Sequence, residues 1–270
     1  MSSPYELAGE PNAYFVRESA SGFRPTRYVE GAWNPAEQHI APAFGVLAHA
    51  IEQDRDARGS GHLQLCRVSY DILGVLPLEM VDVEVQVDRP GKTIELVTAR
   101  MSHGGRTAVI ARAWLSAAYD TSHLAGTPFP RIPPPEETPD WGLGTYWPGR
   151  FVRSLELRRL QAEPGRATGW ARTELALIEG EAVSDTARFL GLIDVANGST
   201  PRVPKELAAF PNLDLTVHLF RPPHGEWLGL DTSVTFGASG LGLTHAILHD
   251  EDGAFGALMQ ALTVRPAPRA

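Results

Sequence analysis

The feature that most limits how this 270-residue chain can fold is a cluster of six prolines between Pro128 and Pro139. Proline lacks a backbone N–H and clashes with a preceding helical turn, so this density excludes both a helix and a central strand. The chain is long enough for two cores of about 120 residues, since domains usually contain about 100–200 residues. We therefore predict an N-terminal domain over residues 1–120, a proline-rich linker over 121–148 and a C-terminal domain over 149–270.

A short apolar helix followed by strands is indicated in the first half. Phe44, Leu47 and Ile51 fall on one face of a helix, and the segment is apolar nearly all round, so we expect it to be buried. Period-two alternation, apolar runs and turn residues then predict strands over 65–72, 81–88, 93–101 and 107–118.

The second half repeats this order of signals. Ser184 is placed to cap a helix, and Gly198 to end it. The apolar side chains on one side of this helix are Phe189, Leu192, Ile193 and Ala196. Strands are then predicted over 213–220, 227–235, 241–249 and 254–264.

A helix followed by several antiparallel strands, occurring twice, describes a helix wrapped in a curved sheet. Two such units hide an exposed edge strand in each when their sheets join side by side. The sequence therefore predicts an α+β fold in which one chain forms a pseudo-dimer.

Composition excludes several classes of function. The net charge is −8, and no cluster of Lys and Arg is found, so a nucleic-acid partner is not expected. No apolar run approaches the about 18 residues that a membrane span needs, and the N-terminus lacks the basic and apolar regions of an export signal. We expect a soluble, cytoplasmic protein.

No metal or cofactor is expected. Cys66 is the only cysteine, which excludes an internal disulfide and a multi-cysteine metal site. His245 and His249 are four residues apart in a strand pattern, where that spacing is about 13 Å and too long for a shared metal. The glycines at 104–105 and in 237–242 mark hairpin turns, because neither group joins a strand to a helix as a phosphate-binding loop does.

A set of motifs in the second half resembles a known family. The set comprises the run Asn212-Leu-Asp-Leu-Thr-Val-His-Leu-Phe-Arg-Pro222, then Gly225-Glu-Trp-Leu228, Asp252-Gly253 and Gln260. It resembles bacterial acyl-CoA thioesterase II and its actinobacterial relatives, with the matching letters concentrated between Asp214 and Pro266. The resemblance implies a tandem, or double, hotdog fold, hydrolysis of acyl-CoA in fatty acid metabolism, and a homodimer of these double units.

The resemblance also implies a catalytic trio of Asp, Thr or Ser, and Gln that holds a water. Carried over to this chain, the trio is Asp214, Thr235 and Gln260, with Thr232 or Ser233 as the alternative hydroxyl if the register slips. The matching positions of the first half are Cys66, Gln86 or Val87, and Arg112. That set cannot orient water in the same way, so one site per chain is predicted.

The chemistry of these groups suits thioester hydrolysis. Asp214 would accept a proton from a water that Thr235 and Gln260 orient, and desolvation would raise the pKa of its carboxyl towards neutrality. Direct attack by Asp214 to give an anhydride stays open. Gln260 stands in an apolar run, where a buried amide requires a polar partner.

The chain departs from the family at the start of the first helix. Relatives often carry a His-Gly-Gly type start, whereas this chain has Gln38-His-Ile-Ala-Pro-Ala43. The departure favours, as an alternative, a non-catalytic acyl-CoA-binding protein; an enoyl-CoA hydratase is a weaker alternative, since its motif is missing. His39 is interpreted as a residue of the domain seam rather than a substrate contact.

Overall fold

A computed structural model describes residues 7–267 of the chain. The first six residues, on which the expectation of no export signal partly rests, lie outside the described residues. The α-helices are α1 Ile40–Ala57, α2 Leu143–Tyr146, α3 Arg150–Arg153, α4 Asp185–Leu190 and α5 Val195–Ser199. The strands are β1 Ala13–Arg17, β2 Gly22–Pro25, β3 Leu63–Ile72, β4 Val81–Arg89, β5 Ile94–His103, β6 Arg106–Ala117, β7 Leu155–Glu163, β8 Arg166–Thr173, β9 Ala176–Ile178, β10 Ala208–Ala209, β11 Asp214–Leu219, β12 Leu228–Phe236, β13 Leu241–Asp250, β14 Gly253–Thr263 and β15 Arg265–Pro266.

One sheet of 13 strands runs through both halves, in the order β7-β8-β12-β13-β14-β11-β3-β6-β5-β4-β2-β1-β9. The halves meet where β11 pairs antiparallel with β3, placing Leu215 opposite Tyr70. At the far end, β9 from the second half pairs parallel with β1 from the first. The predicted α+β double hotdog with joined sheets is confirmed.

Helix α1 lies inside the curved sheet. Its side chains Phe44, Leu47 and Ile51 are fully buried, as the apolar pattern predicts. Helix α1 packs on α4 at Gly45, where an added Cβ would lie 2.8 Å from the Ala187 carbonyl oxygen, so the close approach of the two helices requires glycine. None of the helices within residues 7–267 is both long and apolar enough to cross a membrane.

The second half differs from the prediction at its helix. The Ser184 hydroxyl accepts a hydrogen bond from the Ala187 N–H at 3.0 Å, so Ser184 caps a helix as expected. That helix ends at Leu190, a turn follows, and α5 begins at Val195, so one predicted helix is two short ones. Gly198, the predicted end, lies within α5.

The proline cluster lies against the second half of the sheet. The carbonyl oxygen of Pro133 accepts a hydrogen bond from the Trp170 indole N–H at 2.7 Å, and that of Pro135 accepts one from Arg158 at 2.7 Å. Residues 118–142 form no α-helix or ladder strand, only short 3-10 turns and an isolated bridge. The domain boundaries themselves stay a prediction.

Candidate active site

Gln260 and Asp214 lie on opposite faces of the sheet. Gln260 points from β14 towards the helices and is fully buried. In β11 the inward positions are Leu215 and Val217, so Asp214 points outward by strand alternation. The Asp214 carboxylate accepts a hydrogen bond from the backbone N–H of Ala261 at 2.7 Å, on the outer side of β14.

Thr235 is also outside the buried region. It is exposed on the outer face of β12, and β13 and β14 separate that strand from β11. Three strand spacings amount to about 14 Å, which is too far for one water to bridge Thr235 and Asp214. Of the alternative hydroxyls, Thr232 is fully buried and Ser233 alternates to the outer face. The structure therefore does not bring the predicted trio together.

The polar partner of Gln260 is Asp194. The Gln260 side-chain amide donates a hydrogen bond to Asp194 Oδ1 at 2.8 Å. Asp194 lies in the turn between α4 and α5, where the broken helix directs its carboxylate at β14, and the residue is 6% exposed. This is the partner that the apolar surroundings of Gln260 required.

Asn212 completes the cluster. It precedes β11, and its side-chain amide donates to Asp194 Oδ1 at 2.8 Å and to the Asp214 carbonyl oxygen at 3.1 Å. Both amides thus converge on one carboxylate oxygen. Among the residues that the structure describes, no donor is hydrogen-bonded to Oδ2, the second oxygen of Asp194; His39 Nδ1 is 4.0 Å from it.

Burial changes the acid strength of Asp194. Desolvation raises the pKa of its carboxyl to about 7, and the hydrogen bonds from Asn212 and Gln260 limit the rise because they stabilise the charged form. A carboxylate with a pKa near neutrality is well matched to general-base catalysis at the pH of a cell.

A cavity of about 320 Å³ opens at this cluster. Its volume lies within the range of small-molecule sites. Asp194, Asn212 and His39 form part of its polar wall, and the other polar residues of the lining are Asn34, Glu37, Gln38 and Asn197. The apolar part of the lining includes Trp33, Leu76, Leu143, Trp147, Val152 and Leu213. Both halves of the chain therefore build the cavity.

The start of α1 offers few backbone donors to this cavity. His39 precedes the helix, and its Nδ1 accepts the Ala41 N–H at 3.2 Å. Pro42 has no N–H. Among the first three residues of α1, Ile40 therefore has the one backbone N–H without a hydrogen-bond partner in the described structure, and Ile40 lines the cavity.

Two of the cluster residues, Asp194 and Asn212, were not among the predicted site residues. Asp194 stands within the apolar run Leu192-Ile-Asp-Val-Ala196, where a lone carboxylate is costly to bury without partners. That signal is present in the sequence and is the same argument that singles out Gln260. Asn212 immediately precedes a predicted strand and carries no comparable signal.

Two family models match the chain. The model of the acyl-CoA thioesterase N-terminal domain matches residues 29–116, and the model of the acyl-CoA thioesterase C-terminal domain matches residues 129–264. A search of curated proteins found no match.

Solved structures share the fold. A conserved protein of unknown function with a hot dog fold from Alicyclobacillus acidocaldarius is 13% identical, with a TM-score of 0.73, covering 96% of this chain and 98% of its own. An acyl-CoA thioesterase II from Mycobacterium marinum is 16% identical, with a TM-score of 0.62, covering 93% of this chain and 96% of its own. At these identities the likeness establishes the architecture.

Proposed function

The chain belongs to the acyl-CoA thioesterase family, and on that premise we propose that it hydrolyses acyl-CoA thioesters to a free acid and coenzyme A, with Asp194 as the base. The observation that carries the proposal is the Asp194 carboxylate. It is buried, its pKa is raised to about 7, and it lines a largely apolar cavity. This residue replaces Asp214, whose carboxylate is on the other face of the sheet.

The reaction needs one base. Oδ2 of Asp194 accepts a proton from a water molecule as the water oxygen bonds to the thioester carbonyl carbon. The electron pair of the carbonyl moves to its oxygen and returns as the C–S bond breaks. The leaving thiolate then takes up the proton from Asp194, which restores the carboxylate. Attack by Oδ2 itself would instead form an anhydride and expel the thiolate. If water then opened the anhydride at the side-chain carbonyl carbon of Asp194, oxygen-18 from labelled water would enter Asp194.

Asn212 and Gln260 hold the base in place. Their amide groups both donate to Oδ1, which leaves Oδ2 for the water. The side-chain oxygen of Asn212, which lines the cavity, can accept the second hydrogen of that water. Asn212 thus takes the role that the resemblance assigned to Thr235, and Gln260 keeps a place in the site.

The acyl chain would occupy the apolar part of the cavity. Leu143 and Val152 line this cavity and also a neighbouring one of about 450 Å³, so these two buried side chains form the wall between them. We propose that this wall limits the acyl length. A homodimer of double units and a cytoplasmic location stay predictions.

The test compares two substitutions, each of which replaces one carboxylate oxygen by an amide nitrogen. Asp194→Asn removes the base but keeps an oxygen that can accept both amide hydrogen bonds, so the fold should persist. Asp214→Asn is the matched control on the outer face. With a panel of acyl-CoAs and a thiol reagent, we expect Asp194→Asn to lower kcat by about 10²–10⁴-fold, the usual contribution of a general base, and Asp214→Asn to retain wild-type activity.

Other outcomes identify other functions. Full activity in Asp194→Asn would exclude it as the base, and loss of activity in Asp214→Asn would return that role to Asp214. Binding of acyl-CoA without thiol release by the wild-type protein would identify a non-catalytic acyl-CoA-binding protein. Loss of the double bond of an enoyl-CoA without thiol release would identify a hydratase.

A further inference from the structure

His39 is held rigidly at the cavity wall beside Asp194. Its Nδ1 accepts the Ala41 N–H at 3.2 Å, and its ring lies against the ring of Phe151, with centroids 4.2 Å apart. The side chain is 11% exposed and belongs to the cavity lining. A histidine with one nitrogen fixed and one face packed has a single orientation towards a ligand.

The hydrogen bond at Nδ1 determines which nitrogen carries the hydrogen. A neutral imidazole has one donor and one acceptor nitrogen. Because Nδ1 accepts from the backbone, Nε2 must be the N–H. Burial lowers the pKa of His39 to about 3, which keeps the ring in this neutral form.

The N–H of Nε2 is free to meet a ligand. Within residues 7–267, no acceptor is hydrogen-bonded to it. Nε2 of His39 is not among the fully buried polar atoms that have no hydrogen-bond partner. Since it has no partner among the described residues, it must be accessible from open space. The open space beside this ring is the cavity that Asp194 also lines.

A thioester carbonyl in this cavity needs a hydrogen-bond donor. Negative charge develops on its oxygen as water attacks, and a positioned donor stabilises that charge. The amide of Ala41 is used by His39, and Pro42 has none. The side chain of His39 therefore offers a hydrogen-bond donor at a place where the backbone at the start of α1 offers few.

We propose that the Nε2–H of His39 donates a hydrogen bond to the carbonyl oxygen of the bound thioester and stabilises the oxyanion while Asp194 activates the water. This assignment rests on the proposed thioesterase function and makes His39 a catalytic residue. No proton leaves the imidazole. The electron pair on the oxygen returns to expel the thiolate, and His39 ends the cycle as it began.

The kinetic test uses His39→Leu and His39→Gln. Leucine fills similar space without a donor, whereas the glutamine amide can donate. We expect His39→Leu to lower kcat by about 10²–10³-fold, as loss of one oxyanion donor does in other enzymes, with a smaller change in KM. His39→Gln should recover part of that loss. Thermal unfolding of each variant checks that the fold is kept.

The pH profile separates a donor from a base. If His39 donates, the acidic limb near neutral pH, where the rate rises as Asp194 loses its proton, should stay in His39→Gln. Loss of that limb in His39→Gln would make His39 the base and overturn the proposal. Equal kcat values for His39→Leu and the wild type would overturn it as well.

An infrared measurement tests the bond directly and requires only binding. In Asp194→Asn, a thioester labelled with carbon-13 at its carbonyl should absorb at lower wavenumber when bound than when free. Adding His39→Leu should abolish that shift. A shift that persists in the double variant would show that another group donates. If the wild-type protein releases no thiol, the proposed hydrolysis is refuted, but the infrared measurement still tests the hydrogen bond from His39. Failure of the proposed function and failure of the His39 assignment are therefore distinguishable.

Discussion

Ionisation of the buried Asp194 carboxyl group lowers the free energy of unfolding of the protein. In the folded protein its pKa is raised from 3.8 to about 7, so the folded state binds more protons than the unfolded state between these values. Stability must then fall as the pH rises from 3.8 towards about 7. Asparagine does not titrate, so Asp194→Asn escapes this loss.

We therefore predict that the free energy of unfolding of Asp194→Asn, relative to the wild type, increases with pH. One pKa unit corresponds to about 1.36 kcal/mol, so the increase should be a few kcal/mol, roughly 4 at most. Denaturant unfolding at about pH 4 and about pH 9, on either side of the titration, measures it. The same relative stability at both pH values would contradict a desolvated carboxylate at this position.

Asn212 should set the pH at which the base becomes active. Its amide stabilises the charged form of Asp194, so Asn212→Ala should raise the pKa of that carboxyl further. The acidic limb of kcat/KM against pH, where activity rises as Asp194 loses its proton, should move to higher pH, with lower activity at neutral pH. A limb that stays in place would show that Asn212 does not act on the base.

At the residue level, the expected polar partner of Gln260 is present in the structure, and the catalytic roles of Gln260, Asp214 and Thr235 stay predictions. A buried amide in an apolar strand requires a partner, and this requirement is local to the sequence. Which carboxylate accepts the hydrogen bond from Gln260 depends on packing, because Asp194 is 66 positions away along the chain. The motif alone predicts Asp214 as the base, and the outward direction of its side chain does not support that role.

At the level of elements, alternation decides which side chains can meet. Leu215, Val217 and Leu219 occupy the inward positions of β11, so their pattern already assigns Asp214 to the opposite face. Strands β11 to β14 of the second half are predicted to within one or two residues. The break between α4 and α5 is not predicted, because apolar residues continue through the turn, although Gly191 at the end of α4 is a local signal for it.

The wall formed by α2 and α3 should control substrate length. Leu143→Ala should open a passage to the neighbouring cavity and raise kcat/KM for a sixteen-carbon acyl-CoA relative to an eight-carbon one. Leu155, also buried, lines only the second of these two cavities, so Leu155→Ala is the matched control. Each change should cost about 2–5 kcal/mol of stability. An unchanged length preference in Leu143→Ala would contradict the wall.

Across the whole molecule, the double architecture could be predicted because both of its signals are local. The proline cluster predicts a division of the chain, which stays a prediction, and the order of helix and strands repeats on each side of it. The sequence analysis predicts none of β1, β2, β7, β8, β9, β10 and β15. The pairing of β1 with β9 could not be predicted, because it joins segments more than 150 residues apart. No local sequence pattern indicates such a contact.

The two helix caps have parallel surroundings. His39, before α1, lies 4.0 Å from Asp194 in the other half, and Ser184, before α4, donates to Glu52 of α1 at 2.5 Å. In an assembly of separate identical subunits, every mutation would strike both places at once. In a single fused chain the two positions can change independently. Asp194 can therefore serve in the proposed reaction while Glu52 forms a hydrogen bond that links the two halves.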